Sequence, residues 1–129
     1  MVQKEEVLHV RAGGYELVGA AFEVYNEKGN GFLEEVYQEC LELELGFRSI
    51  PHVAQPELPI HYKGHRLEKT YRPDLYVHDG IIVELKAVKQ LTDEHWAQLM
   101  NYLKATGKTV GYLLNFGNAQ KLEWKRVVV

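Results

Sequence analysis

One apolar run of the chain carries a carboxylate and an ammonium group where neither is expected. Glu84 and Lys86 lie two residues apart within residues 81–88, which otherwise have the composition of a buried strand. Residues two apart in a strand project from the same face of a sheet. Burying charges costs several kcal/mol unless they are paired or bind a metal. The two residues are therefore either a structural ion pair at the rim of the sheet or part of a site.

A second carboxylate belongs to the preceding strand. Asp74 lies in the sequence YRPDLYV, and a turn separates this segment from the strand of Glu84. Two carboxylates on neighbouring strands offer the hard oxygen ligands that suit Mg²⁺ or Mn²⁺. Such an ion polarises a phosphodiester and lowers the pKa of a bound water. Lys86 could position that water or neutralise charge that develops on the phosphate.

The length of the intervening turn decides whether the two carboxylates can share a metal. A two-residue turn would pair Leu75 with Glu84 and leave Asp74 on the opposite face. A three-residue turn at 78–80 would set Asp74 directly opposite Glu84. The shared site therefore predicts a three-residue turn, of type I with a glycine bulge, in which Gly80 has the left-handed conformation needed at the third position.

Helical segments supply further polar side chains. Glu34 lies near the start of a predicted helix, just after Gly31. Gln98 and Tyr102 are four residues apart on a later helix and so form one ridge. Each of these residues alone would be ordinary helix surface, and only their combination with the two strands is informative.

Three short motifs combine these residues. Pro73-Asp74, nine further residues and Glu-Leu-Lys at 84–86 resemble the signature of the PD-(D/E)XK nucleases. The sequence QLMNY at 98–102 is similar to the QxxxY motif of one branch of that superfamily. The sequence GFLEEVY at 31–37 resembles GxxExxY, the motif that names a small bacterial family within it. The resemblance covers nearly the whole chain.

This resemblance implies a restriction-endonuclease-like fold and Mg²⁺- or Mn²⁺-dependent cleavage of DNA or RNA. It implies four metal ligands, three carboxylates and one main-chain carbonyl: Glu34, Asp74, Glu84 and the carbonyl of Leu85. It also implies that Lys86 is the catalytic lysine, assisted by Gln98 and Tyr102, which would orient the site or the substrate phosphate.

The elements that must position these residues follow from periodicity and turn signals. Apolar spacing predicts helices over 13–27, 32–45 and 93–106. Strands are expected near 52–62 and 66–77, at the central run, and at two closing segments. The order α-α-β-β-β-α-β-β predicts a single α/β (α+β) domain over 1–129, with a mixed sheet flanked by helices. Trp96 and Trp124 are interpreted as core residues.

Composition bounds the alternatives. The 129 residues are 46% hydrophobic and carry a net charge of −3, which excludes intrinsic disorder. Residues 1–50 hold ten acids and four bases, whereas residues 51–129 hold eight acids and eleven bases, so a basic surface would lie in the second part. The single cysteine, Cys40, excludes an intrachain disulfide and favours a reducing cytoplasm.

Three hypotheses remain open from the sequence. The first is a metal-dependent nuclease, and the second is a non-catalytic nucleic-acid-binding or regulatory module on the same fold. The third is a soluble α/β protein whose charged strand is structural. Cutting both strands of a duplex is simplest for a homodimer, and a nuclease core this small could take its substrate recognition from a protein partner.

Overall fold

The computed structural model describes residues 4–129, with side chains from residue 13 onward. The elements are α1 (Lys4–Lys28), α2 (Glu34–Phe47), β1 (His52–Ala54), β2 (Leu58–Tyr62), β3 (His65–Tyr71), β4 (Leu75–Val77), β5 (Ile81–Lys86), α3 (Asp93–Thr106), β6 (Val110–Asn115) and β7 (Glu123–Val128). Within this described part, no helix is long and apolar enough to cross a membrane.

A five-stranded sheet in the order β1-β4-β5-β6-β7 forms the centre of the molecule. β5 and β6 run parallel and are joined through α3, and the other neighbouring strands are antiparallel. One face packs against α1 and α2, with Leu17 and Leu41 in its core. The other face packs against α3 through Leu99 and Leu103. The predicted fold class, a mixed sheet flanked by helices, is thereby confirmed.

Local sequence explains where the helices begin and end. The side chains of Thr92 and His95 form a capping box at the start of α3, and Gly107 ends this helix with a φ of 73°. Gly29 and Gly31 separate α1 from α2, with φ values of 68° and 110° that favour glycine. The predicted limits of α3 are the observed ones, whereas α1 begins nine residues earlier than predicted.

The structure has two more strands than predicted because two predicted strands are each divided. The strand expected over 66–77 breaks after Tyr71, since Pro73 has no N–H to continue a ladder. The strand expected before it breaks at Gln55, whose φ is 48°. As a result, β2 and β3 form a separate two-stranded sheet. Tyr71 ends that hairpin, while the residues after Pro73 enter the central sheet.

Candidate active site

The two faces of β5 differ in chemistry. Ile81, Val83 and Leu85 are fully buried against the α1 and α2 side. Glu84 and Lys86 alternate with them and point to the α3 side, where both are half-buried. The strand therefore presents one carboxylate and one ammonium group on the same face, near its carboxyl end.

The strand pairing places Asp74 beside Glu84. Val77 pairs with Ile81, which confirms the three-residue turn, and continuing the register sets Asp74 opposite Glu84. The backbone N–H of Leu85 donates a 2.7 Å hydrogen bond to Oδ2 of Asp74. The Glu84 carboxylate in turn accepts a hydrogen bond from the backbone N–H of Asp74. Each carboxylate is thus held by the main chain of the other's strand.

The prediction of a type I turn with a glycine bulge is wrong. The left-handed residues are His78 and Asp79, with φ values of 54° and 52°, and not Gly80. The N–H of Gly80 donates to the carbonyl of Val77 at 3.2 Å, which closes a turn of type I′. Gly80 then acts as the extra residue before β5, so the register is the predicted one although the backbone path differs.

Tyr71 is a site residue that the sequence reasoning missed. Its hydroxyl donates a 2.6 Å hydrogen bond to Oε1 of Glu84. Its ring stacks on that of Tyr102, with 4.1 Å between the centroids and 7° between the planes. The available signal was its position three residues before Asp74, but only the break after β3 turns the side chain towards β5.

Burial shapes the ionisation of this pair. Burial raises the pKa of Glu84 to about 7, and the nearby charge of Asp74 contributes to the increase. The hydrogen bond from Tyr71 and the charge of Lys86 act in the opposite direction. Burial also raises the pKa of Asp74, against the opposing effects of the Leu85 N–H and Lys86. On balance the site therefore disfavours the charged form of both carboxylates, which a bound cation would favour.

Glu34 lies at the edge of this pair. It is exposed on the first turn of α2 and lines a cavity of about 540 Å³ together with Asp74. Burial and the charge of Asp74 raise the pKa of Glu34, so the two carboxylates interact electrostatically. Gln38, one turn further along α2, donates a 2.9 Å hydrogen bond to the main-chain carbonyl of Asp74 and fixes the helix against the site. Gln38 is the second residue that the sequence reasoning missed.

A neighbouring cavity of about 290 Å³ collects the other expected residues. Its lining includes Glu84, Lys86, Gln98 and Tyr102, so α3 does present its polar ridge to β5. Gln98 is exposed at the mouth, whereas Tyr102 is half-buried beneath Tyr71. The structure thus divides the expected side chains between two cavities, with Glu34 and Asp74 in one and the other four in the second.

The main chain at Leu85 offers one more oxygen. In an antiparallel pair the N–H and C=O of one residue point to the same neighbour, so this carbonyl faces the β4 side, as the N–H does. The residue there by register is Pro73, which has no N–H to donate. The Leu85 carbonyl is therefore oriented towards the carboxylate pair without a ladder partner from that residue.

This donor set fits a hard divalent cation in part. Asp74 directly precedes β4, and Glu84 and the Leu85 carbonyl belong to β5; a cation bound by them would favour the charged form of both carboxylates. Among the side chains from residue 13 onward, however, no three His, Cys, Asp or Glu residues are grouped closely enough to hold a metal on their own. A bound ion would therefore need the carbonyl and water besides the pair, with Glu34 approaching from α2.

The sequence also matches a known family. A family model described as the PD-(D/E)XK nuclease superfamily matches residues 12–127. The chain belongs to this superfamily. No curated protein matches the chain.

A solved structure shares the fold. The crystal structure of SSO0001 superposes with a TM-score of 0.58 and 18% sequence identity, over 74% of this chain and 50% of that one. The chain thus spans about half the length of the protein that it matches. At this identity the likeness concerns the fold alone, which agrees with a restriction-endonuclease-like sheet flanked by helices.

A third cavity, of about 680 Å³, lies on the opposite face of the sheet between α1 and β7. Phe22, Trp124, Arg48 and Arg126 are among its lining residues. Trp124 is 45% exposed, so its interpretation as a core residue is wrong. β7 is the edge of the sheet, where a side chain is covered on one side only. Trp96 is partly buried against the α3 core, as expected.

Proposed function

We propose that the chain is a divalent-metal-dependent nuclease that hydrolyses phosphodiester bonds, and that it belongs to the GxxExxY family of its superfamily. The observation that carries the proposal is the placement of Asp74 directly opposite Glu84, with Lys86 on the same face. A structural ion pair would not need two like charges on neighbouring strands, because their repulsion and desolvation oppose folding.

The residues present suggest a division of roles. Asp74, Glu84 and the Leu85 carbonyl would hold Mg²⁺ or Mn²⁺, with Glu34 as a further carboxylate ligand. When bound, the ion supplies a Lewis acid and lowers the pKa of water. The ammonium group of Lys86 lies on the same face, where it would orient the attacking water and offset charge on the phosphate.

Gln98 and Tyr102 form the α3 wall of the cavity that Lys86 also lines. The amide of Gln98 is exposed at the mouth and would donate a hydrogen bond to a substrate phosphate oxygen. Tyr102 packs on Tyr71 and would keep that wall in place. Both residues would therefore orient substrate and site and would take no direct part in bond making.

Cleavage assays test this proposal. Purified wild-type protein should cleave at least one of single-stranded DNA, duplex DNA, single-stranded RNA and duplex RNA with Mg²⁺ or Mn²⁺, and EDTA should stop the reaction. Lys86→Ala should lose activity while folding normally, because the lysine acts on the reacting groups. Lys104→Ala, which removes an exposed lysine from the last turn of α3, is the matched control and should cleave like the wild type. Activity that persists in Lys86→Ala would refute the assignment.

A non-catalytic nucleic-acid-binding or regulatory module is the second candidate. It is favoured by one observation, the lack of a three-residue side-chain metal cluster in the described part of the chain. The two functions differ in their need for a cation. Calorimetric titration with Mn²⁺ should show binding that Glu84→Gln abolishes if the chain is a nuclease, and no binding if it is only a module.

Assembly and location are part of the same proposal. We infer a homodimer, because two sites related by a two-fold axis would cut both strands of a duplex. The exposed edge strand β7 and the α1 face beside it would supply the interface. Light scattering at high micromolar concentration should give the mass of a dimer, and a monomer would refute this. We also propose that a partner protein supplies additional substrate recognition. The proposed location is the cytoplasm.

A further inference from the structure

The β2–β3 hairpin has an exposed outer part. Its tip is a type I′ turn, with φ values of 47° at Lys63 and 78° at Gly64. Every residue from 61 to 69 is exposed, and only the base of the hairpin is covered, where Leu58 and Ile60 pack against the α3 core. A two-stranded ribbon therefore projects beside the active site with no partner for its outer part.

The hairpin is basic in an otherwise acidic chain. Residues 58–72 carry four bases and a single acid, Glu68, whereas the whole chain has a net charge of −3. The bases recur at every third position: Lys63, Arg66, Lys69 and Arg72. In the described part of the chain no carboxylate forms an ion pair with the first three, and only Arg72 approaches one, Glu57 at 3.7 Å.

The spacing distributes this charge over both sides of the ribbon. Successive strand residues point to opposite faces, so bases three apart alternate between the faces. Arg66 and Arg72, six residues apart, are separated by about 20 Å along an extended strand. Positive charge on both faces suits a groove of a nucleic-acid duplex, because a phosphate backbone runs along each wall of such a groove.

The hairpin is also joined directly to the candidate active site. Thr70, Tyr71 and Arg72 line the same cavity as Glu84 and Lys86. The hydroxyl of Tyr71 donates to the Glu84 carboxylate, so the last residue of β3 contacts the proposed metal site. A backbone held along the hairpin would consequently lead into the cavity of the reacting groups.

We propose that the β2–β3 hairpin is a DNA-binding ribbon that holds duplex DNA by its phosphates and delivers it to the Asp74–Glu84 site. Duplex DNA is the occupant because the major groove of B-form DNA, about 12 Å wide, admits a two-stranded ribbon, whereas the major groove of duplex RNA is narrow and deep. The inference rests on the proposed nuclease function and adds its substrate class and binding element.

The test compares two triple variants with equal loss of charge. The first replaces Lys63, Arg66 and Lys69 by Gln. The second is the control and replaces exposed lysines away from the hairpin: Lys28, Lys104 and Lys121. Both are made in the whole 129-residue chain, which also carries Lys86→Ala so that DNA is bound without being cut. Binding of a fluorescent 20-base-pair duplex is followed by anisotropy in Mg²⁺ between 50 and 200 mM salt, and circular dichroism verifies folding.

The hairpin variant should bind more weakly and with less dependence on salt. Each lost phosphate contact lowers the slope of log affinity against log salt by about 0.9, so three contacts lower it by about 2.7. When the salt increases from 50 to 200 mM, the affinity of the parent should therefore fall by a factor about 40 times larger than the factor for the hairpin variant. The control variant should keep the parent's slope.

Three results would overturn the inference. Equal slopes for the hairpin variant and its parent would show that the hairpin does not contact phosphates. Tighter binding of duplex RNA or single strands, lost on the same substitutions, would assign the hairpin to another substrate. Failure of the parent to bind any nucleic acid would remove both this inference and the proposed function. Metal-dependent cleavage by wild-type protein together with equal slopes would instead leave the proposed function standing.

Discussion

Replacing Glu84 by Gln should stabilise the protein at alkaline pH. Burial raises the pKa of Glu84 from an ordinary 4.5 to about 7, so the folded state holds this proton more tightly than the unfolded state does. As the pH rises from 4.5 to 7, the unfolded chain releases the proton first, and the wild type loses stability across that window. Gln cannot ionise, and its side-chain oxygen still accepts the hydrogen bond from Tyr71.

The magnitude follows from the size of the shift. A difference of about 2.5 pKa units corresponds to about 3 kcal/mol once the pH exceeds both values. At pH 5 the wild type has lost only about 0.8 kcal/mol of this, because pH 5 lies only about half a unit above the pKa of the unfolded side chain. The stability of Glu84→Gln relative to wild type should therefore increase by about 2.5 kcal/mol between pH 5 and pH 8.

Urea unfolding in EDTA at pH 5 and pH 8 measures this increase. The comparison between the two pH values cancels any change in packing that does not depend on pH. Glu23→Gln is the control, since it removes an exposed acid of α1 and should show no such increase. The account of a desolvated carboxylate would be refuted by either of two results. The stability difference between Glu84→Gln and wild type could stay the same at both pH values, or it could decline at pH 8. Adding Mn²⁺ at pH 8 should stabilise the wild type but not Glu84→Gln.

Two further substitutions test contacts around the site. Tyr71→Phe keeps the stacked ring but removes the hydrogen bond to Glu84, so the Mn²⁺ affinity measured by calorimetry should decline by about tenfold. Tyr62→Phe, on the exposed part of the hairpin, is the control and should leave the Mn²⁺ affinity unchanged. Asn115 is fully buried and bonds to the main chain of Val88 and to Glu123, so Asn115→Ala should lower the free energy of unfolding by about 2–4 kcal/mol. A loss below about 0.5 kcal/mol in urea unfolding would show that these bonds contribute little.

Local sequence determined much of the fold. The limits of α3 could be predicted because a cap residue precedes the helix, a glycine follows it and apolar residues recur at helical spacing between them. The alternation along β5 predicted which residues share the α3 face. These features depend on interactions within a few residues, so the sequence alone contains them.

The shared position of Asp74 and Glu84 was also predictable, though for a different reason. Only one turn length lets the two carboxylates face the same way, and the structure has that length. The backbone inside the turn was not predictable, because several conformations satisfy one register and packing selects among them. The left-handed residues are therefore His78 and Asp79, although glycine adopts that conformation at lower cost.

Tertiary structure alone decided which side chains complete the site. Tyr71 and Gln38 reach it from β3 and α2, 13 residues from Glu84 and 36 residues from Asp74 respectively. No periodicity connects residues so far apart, because their contact depends on how whole elements pack. The same holds for the pKa of Glu84, which burial sets and composition does not reveal. The sequence thus specified the chemical groups and their faces, while packing determined their neighbours, their charge and the exposed hairpin beside them.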